Sequence, residues 1–321
     1  MQFNVRALGL LKDPKEFEEG NSLFTRQIVD RLLAASAKPV IVMTSSIQAE
    51  LDNPYGVSKR SAEDALREFR EQSQAKVVVF RLPNVYGKWS RPFYNSVVAT
   101  FCHQIARGEA VRIDDPTKTI GFVYIDDVVD ALLEYGLGGA DNPESCISVG
   151  PVHTIGIGDL ADQIRGFREL RRTGVLPDLC DDFVRSLYST YLSYLDPEDF
   201  AYAAEKKADQ RGYLFELIKS RAMGQIFVSS TLPGITRGNH YHHSKVEKFC
   251  VVSGKARIAF RHMVTQERVE YLVEGSECRI VDIPPGYTHS ITNVGDSDLL
   301  TLFWANEPFD PQRPDTYFCE V

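Results

Sequence analysis

The stretch "GITRGNHYHHSKVEKFCVVSG", residues 234–254, gathers three of the chain's seven histidines around a pair of short β-like runs. Side chains alternate along a strand, so His240 and His242 share one face and His243 takes the other. Glu247 opens the next run, and the glycines at 234 and 254 supply turns. A second half lies in "PPGYTHSITN", residues 284–293, where proline and glycine turns precede His289 and Asn293. A lone His-x-His pair is most often an exposed strand edge. Two matched halves in one β-rich segment instead predict a site closed by His240, His242, Glu247 and His289. Three imidazoles and one carboxylate suit zinc, iron, nickel or manganese, and the sequence leaves that choice open.

Around these two halves, from Gly212 onward, the texture is uniform. Runs such as "GQIFVSST", "KARIAFRH", "RVEYLVEG" and "DLLTLFWAN" are separated by glycine, proline and charged turns, which predicts an antiparallel barrel or sandwich. Upstream, from about Asn21 to Tyr135, helical and strand periods alternate. "SLFTRQIVDRLLAA" reads as a helix capped by Asn21 or Ser22, with Leu23, Ile28, Leu32 and Leu33 on one face. "KPVIVMTSS" and "KVVVFRLPNVYG" read as buried strands, the second broken by Pro83. The fold class predicted is α/β plus all-β, with an α/β domain over residues 1–193 and a β domain over 194–321. The changeover falls in "LYSTYLSYLDPEDFAYAAEKKADQRG".

The α/β half carries chemistry of its own. Tyr55-Gly-Val-Ser-Lys59 begins a helix behind Pro54, and its spacing puts Tyr55 and Lys59 on neighbouring turns of one face. A tyrosine hydroxyl titrates near ~10, and an ammonium one turn away is expected to lower that value. Ser45 and Ser46 end the preceding strand, where a hydroxyl can polarise a carbonyl held by Tyr55.

With the "TSS" strand end upstream and "RLPNVYG" and "GFVYIDDVVDA" downstream, this half resembles the extended short-chain dehydrogenase/reductases that act on nucleotide sugars. The resemblance implies a catalytic set of Ser46, Tyr55 and Lys59, with Tyr55 and Lys59 also at the NADPH nicotinamide end and Asn84 lining the substrate site. Asp126 and Asp127 read as a helix cap rather than a catalytic pair. The family's glycine-rich diphosphate turn after the first strand has no counterpart here. "MQFNVRALGLLKDPKEFEEGN" corresponds to the fourth strand and the segment after it, so a partial Rossmann-like domain lacking its first strands is expected. A fragment, a wrong start and a real loss of hydride transfer all fit. "GLGGA", residues 136–140, comes after a helix and reads as its C-terminal cap.

The two histidine half-motifs resemble those of cupins, apart from the distance of Gly275 from Pro284, and "DQRGYLFE" resembles the opening strand of nucleotide-sugar 3,5-epimerases. The whole order, down to "WANEPFDPQRPDTYF", is similar to the bifunctional capsular polysaccharide enzymes that form UDP-2-acetamido-2,6-dideoxy-L-talose. That resemblance implies C3 epimerisation of a UDP-linked 4-keto-6-deoxy sugar by the cupin half and NADPH-dependent C4 reduction by the other. It also implies zinc and a homodimer. His243, Tyr241 and Lys248 are candidates for the epimerising base. A metal-dependent epimerase with a scaffold reductase half, and a non-catalytic sugar-nucleotide sensor, are the competing readings.

Composition sets the outer bounds. The chain has 321 residues, 25% of them charged, and a net charge of −8 without a basic run, which argues against a nucleic-acid partner. No apolar run reaches the ~18 residues of a membrane helix. Six scattered cysteines without a CxxC pair predict reduced thiols and a cytoplasmic setting.

Overall fold

The computed structural model describes residues 14–137 and 146–321. The chain forms two compact units, one of Met1–Arg165 with Arg185–Pro197 and one of Gly166–Val184 with Glu198–Val321. Each unit is therefore entered more than once, where the sequence suggested a single changeover. The "LYSTYLSYL" connector is helical as far as Leu192, the end of the helix Asp182–Leu192, and then turns.

The first unit is α/β. Its described elements are α1 (Pro14–Phe17), α2 (Phe24–Ala34), β1 (Ile41–Ser46), α3 (Pro54–Ser73), β2 (Val77–Leu82), β3 (Asn84–Tyr86), α4 (Val97–Ala106), β4 (Thr119–Tyr124), α5 (Ile125–Leu137), β5 (His153–Gly156) and most of α6 (Ile157–Thr173) and α7 (Asp182–Leu192). Strands β1 and β2 run parallel, with Ser46 opposite Leu82. Strands β3 and β4 are also parallel, and β5 joins β4 antiparallel. Alternation along β2 sorts its side chains to two faces. Val77 packs with Val29, Leu66 and Phe69 of α2 and α3, whereas Val78, Phe80 and Leu82 pack with Val123 and Val128. Pro83 separates β2 from β3, as its missing N–H dictates.

Three local expectations need correction. Asn21 and Ser22 do not cap a helix, because the helical run already includes Pro14–Phe17 and passes through a π-helical segment, Glu18–Leu23, before α2. Inside that run Asn21 is buried and donates to the Ser58 hydroxyl, while Ser22 donates to the Ser58 carbonyl. Leu23 and Ile28 face outward, and Val29 turns inward with Leu32 and Leu33, the i, i+3, i+4 set of one α-helical face. Asp126 and Asp127 lie inside the first turn of α5 rather than at its cap, and Asp126 accepts a 2.8 Å bond from Lys88. Of "GLGGA", Gly136 and Leu137 end α5, and the rest lies outside the described residues.

Apart from the end of α6 and the start of α7, the second unit is built of β-strands. Its strands are β6 (Lys206–Asp209), β7 (Gly212–Ser220), β8 (Gly224–Thr231), β9 (Thr236–Tyr241), β10 (Glu247–Ser253), β11 (Lys255–His262), β12 (Arg268–Glu274), β13 (Ile280–Ile283), β14 (Tyr287–Asn293), β15 (Leu299–Ala305) and β16 (Tyr317–Phe318). They form one sheet of order β13-β10-β15-β8-β7-β6 and another of order β12-β11-β14-β9-β16. Inward residues of both sheets, among them Phe249, Val251, Ile258, Phe260, Ile283, Ile291 and Phe303, share one core. Each such fully buried side chain contributes about 1.5–3 kcal/mol relative to exposure.

Candidate functional sites

The inward faces of β10 and β14 also carry the polar residues singled out above. Glu247 precedes Phe249 by two positions and His289 precedes Ile291 by two, so both point into the core side of their sheets. His240 lies directly opposite His289 across the β9–β14 ladder. The next pairing joins Ser290 to Gly238, which leaves Asn239 as the extra residue of a bulge. Gly238 and Asn239 both have positive φ, 95° and 56°. A Cβ on Gly238 would lie 2.8 Å from the His289 carbonyl oxygen, so the strands meet here only because residue 238 is glycine.

His242 lies just past β9 and completes a cluster. One ligand-capable atom from each of His240, His242, Glu247 and His289 lies within 4.8 Å of all the others. Glu247 Oε2 is 3.6 Å from His242 Nε2 and 3.7 Å from His289 Nε2. Those separations are too long for hydrogen bonds. They fit two ligands of one tetrahedral ion, which at bond lengths of about 2.1 Å stand roughly 3.4 Å apart. His242 Nε2 and both ring nitrogens of His289 are buried without a hydrogen-bond partner. Buried polar atoms are ordinarily satisfied, and a shared cation would satisfy the inward ones. His242 Nδ1 lies 2.5 Å from the Asp315 carbonyl oxygen, which fixes the proton on Nδ1 and leaves Nε2 as a lone pair facing the cluster.

Electrostatics agree with this donor set. Burial, reinforced by His289 and His242, lowers the His240 pKa to about 4, so its ring is neutral and able to coordinate at pH 7. Burial opposes the charge on Glu247, but His242 and His289 outweigh it and hold the carboxyl at about 2.

The three residues offered as bases lie elsewhere. Lys248 alternates to the far face of β10 and pairs with Asp282. Tyr241 stacks on Tyr317 at 5.4 Å, and His243 packs edge-on against both rings. The titratable groups that continue the inward faces are His262, beyond Phe260, and Tyr287, beyond His289; they are register partners with rings 4.7 Å apart. His262 Nδ1 accepts from the Val264 and Thr265 N–H groups, which places the neutral ring's proton on Nε2. Alternation from His289 and a turn after "RH" were the sequence signals for this pair. Nothing in the sequence pointed to Asp315.

In the α/β unit, Ser46, Tyr55 and Lys59 come together. Asn53 caps α3 by accepting from the Gly56 N–H at 2.8 Å, with Pro54 at the helix start. Gly56 lets this turn touch the loop after β1, since a Cβ there would lie 2.1 Å from the Gln48 carbonyl oxygen. The Lys59 ammonium donates to the Thr44 carbonyl at 3.2 Å and sits 5.7 Å from the Tyr55 ring centroid. The expected lowering of the Tyr55 pKa does not occur. Burial raises it, with a bond to Ser46 opposing, so Tyr55 is a protonated acid at neutral pH. Burial lowers the pKa of Lys59, against the pull of Glu63. Asn84 lies two residues past Leu82, the register partner of Ser46, and donates to the Gly121 carbonyl at 3.4 Å.

Comparison with known proteins joins the two halves. Residues 11–136 match the NAD dependent epimerase/dehydratase family, and residues 207–317 match the polysaccharide biosynthesis C-terminal domain. The UDP-2-acetamido-2,6-beta-L-arabino-hexul-4-ose reductase of Pseudomonas aeruginosa is 43% identical over 319 residues, 99% of this chain and 86% of that protein. The chain belongs to the family of this reductase. A solved structure similar to it is that of the capsular polysaccharide assembling protein CapF from Staphylococcus aureus, at a TM-score of 0.89 and 44% identity over 99% of this chain and 86% of that one. A CapF structure with the inhibitor 3-isopropenyl-tropolone matches at 0.83 and 42%, over 93% and 83%. The chain is accordingly an enzyme, with a Rossmann-like epimerase-family half and an all-β half. No described helix is long and apolar enough to cross a membrane.

Proposed function

We propose that this enzyme converts a UDP-linked 4-keto-6-deoxy-N-acetyl sugar to UDP-2-acetamido-2,6-dideoxy-L-talose for capsular polysaccharide, by C3 epimerisation in the β unit and C4 reduction in the α/β unit. The observation that carries the reading is the cluster of His240, His242, Glu247 and His289, with His242 and His289 buried and their inward nitrogens unpartnered, in a relative of a UDP-hexulose reductase. We read this as a cupin-type centre, and zinc is the ion that the resemblance implies for its three imidazoles and one carboxylate.

A divalent ion held there would supply Lewis acidity toward a ketone oxygen. The ketone at C4 makes the C3 proton acidic, because the resulting carbanion delocalises onto the C4 oxygen. Epimerisation needs that proton taken from one face of the ring and returned to the other. In the α/β unit, Tyr55 donates a proton to the C4 oxygen as it becomes an alcohol. Lys59 and Ser46 hold the phenol and the carbonyl in line, and Asn84 contacts the sugar. NADPH would supply the hydride. The described residues provide for its nicotinamide end, at Tyr55 and Lys59.

The reading is tested by metal analysis and product structure together. Purified protein should hold about one divalent ion per chain. Turnover of the 4-keto sugar with NADPH should give the talo product by NMR. A product reduced at C4 but unchanged at C3 would leave a reductase alone and remove the epimerase half of the proposal.

A further inference from the structure

His242 is the cluster member least supported by regular structure, since it lies between β9 and β10. Its support comes from the far end of the chain. The Asp315 carbonyl accepts from His242 Nδ1–H, while the Asp315 carboxylate gathers the adjoining loop. Its Oδ1 accepts from the His243 N–H at 2.9 Å. Its Oδ2 accepts from the N–H groups of Ser244 and Lys245, at 2.9 and 2.8 Å, and from the Ser244 hydroxyl at 3.0 Å. Successive N–H groups converging on one carboxylate form an anion-binding nest. Lys245, only 5% exposed, closes the loop from the other side by donating to the Pro314 carbonyl at 2.6 Å and the Thr316 hydroxyl at 3.1 Å.

The same C-terminal segment then binds the bulge. β16 pairs with β9, placing Phe318 opposite His240, and the Cys319 N–H donates to the Asn239 carbonyl at 2.9 Å. The φ of Asp315 is +37°, a conformation that aspartate and asparagine tolerate better than most residues. One residue thus meets two demands, a backbone carbonyl aimed at a ring nitrogen and a carboxylate aimed at three amides.

We propose that Asp315 is a positioning residue for a divalent-cation site, and that the 314–319 strap completes the site by presenting His242 Nε2 to the ion. The inference rests on the metal reading above. It makes the last residues of the chain part of the centre's machinery, although none of them is a ligand. Loss of a hydrogen-bonded group behind a ligand typically costs ten- to hundredfold in metal affinity.

The test is cobalt(II) binding to full-length apo-protein, measured by competition with a chromophoric chelator and by the visible spectrum of the bound ion. Wild type should show the intense bands of four-coordinate cobalt. Asp315→Ala should bind ten- to hundredfold more weakly, with a spectrum displaced toward that of His242→Ala. Asp315→Asn keeps the carbonyl and the tolerance for positive φ, but sets an amide against N–H donors; it should fall between the two. If Asp315→Ala does not fold, the Asp315→Asn result decides. A merely structural role would lower the melting temperature and leave the cobalt spectrum unchanged. Folded Asp315 variants with wild-type spectrum and affinity within threefold overturn the proposal. Failure of wild type itself to bind cobalt overturns the metal reading on which it stands.

Discussion

Replacing Gly56 by alanine sets two physical effects against each other, and the structure decides the sign. Gly56 is the third residue of α3, and on intrinsic preference alone alanine should stabilise a helix interior by about 1 kcal/mol. Its Cβ would, however, lie 2.1 Å from the Gln48 carbonyl oxygen and 2.6 Å from that of Leu51. Both obstacles are backbone atoms, so no rotamer change relieves them. Overpacking of this kind typically costs roughly 1–3 kcal/mol, and more when backbone must move. The overlap exceeds an ordinary tight contact by about 1 Å, so the upper part of that range applies and the net loss is about 1–2 kcal/mol. Strain should open the contact between the first turn of α3 and the loop after β1, where Ser46 and Tyr55 meet. Hydrogen exchange read by mass spectrometry should show peptides spanning 47–73 exchanging about tenfold faster, while the β unit is unchanged. Equal or slower exchange there, or a raised melting temperature, would refute the close approach.

Gly238→Ala should act likewise on the second unit, pushing β9 off β14 at His240 and His289; calorimetric zinc affinity should drop at least about tenfold, whereas His243→Ala leaves it unchanged. The metal-free protein should lose stability in acid. His240 titrates near 4 when folded against 6.5 when free, so the unfolded chain binds the proton first and stability falls as pH drops from 6.5 to 4. Glu247, at about 2 against 4.5, extends the loss below pH 4.5, and urea midpoints that stay flat from pH 7 to 3 would contradict both assignments. Tyr55→Phe should lower C4 reduction by about 10²-fold and leave C3 proton exchange intact, because only the reduction needs the phenol. Parallel loss of both activities would show that the two chemistries are not separate.

Much of this was legible from residue order, because period and turn chemistry act locally. The strand-end serines, the Tyr-x-x-x-Lys turn and the two histidine half-motifs are short-range signals, and each sits where alternation places it. The failures were of two physical kinds. The helical run passes through the π segment Glu18–Leu23 without a cap at Asn21, and Val29 rather than Ile28 completes the inward i, i+3, i+4 set with Leu32 and Leu33. Long-range partners were the other kind. Asp315 reaches His242 across 73 positions, and its role depends on a backbone carbonyl, which carries no side-chain signature at all. Tyr241, His243 and Lys248 face away from the cluster for the same reason that His240 and His242 enter it: neighbours at odd spacing on a strand point to opposite faces. Burial, which raises the Tyr55 pKa against expectation, is likewise a property of the packed unit rather than of the pentapeptide.

Activation of C3 of a 4-keto sugar at the metal centre proposed for the β unit is the step on which the proposed chemistry stands, and deuterium incorporation reads it. The UDP-linked 4-keto-6-deoxy-N-acetyl sugar is incubated in D2O with zinc-loaded protein and no NADPH, and C3 is followed by NMR. Exchange at C3 should be catalysed, should vanish when a chelator strips the ion, should return on adding zinc, and should be absent in His240→Ala. Exchange that proceeds at the same rate in chelated protein and in His240→Ala would contradict a metal-centred epimerisation.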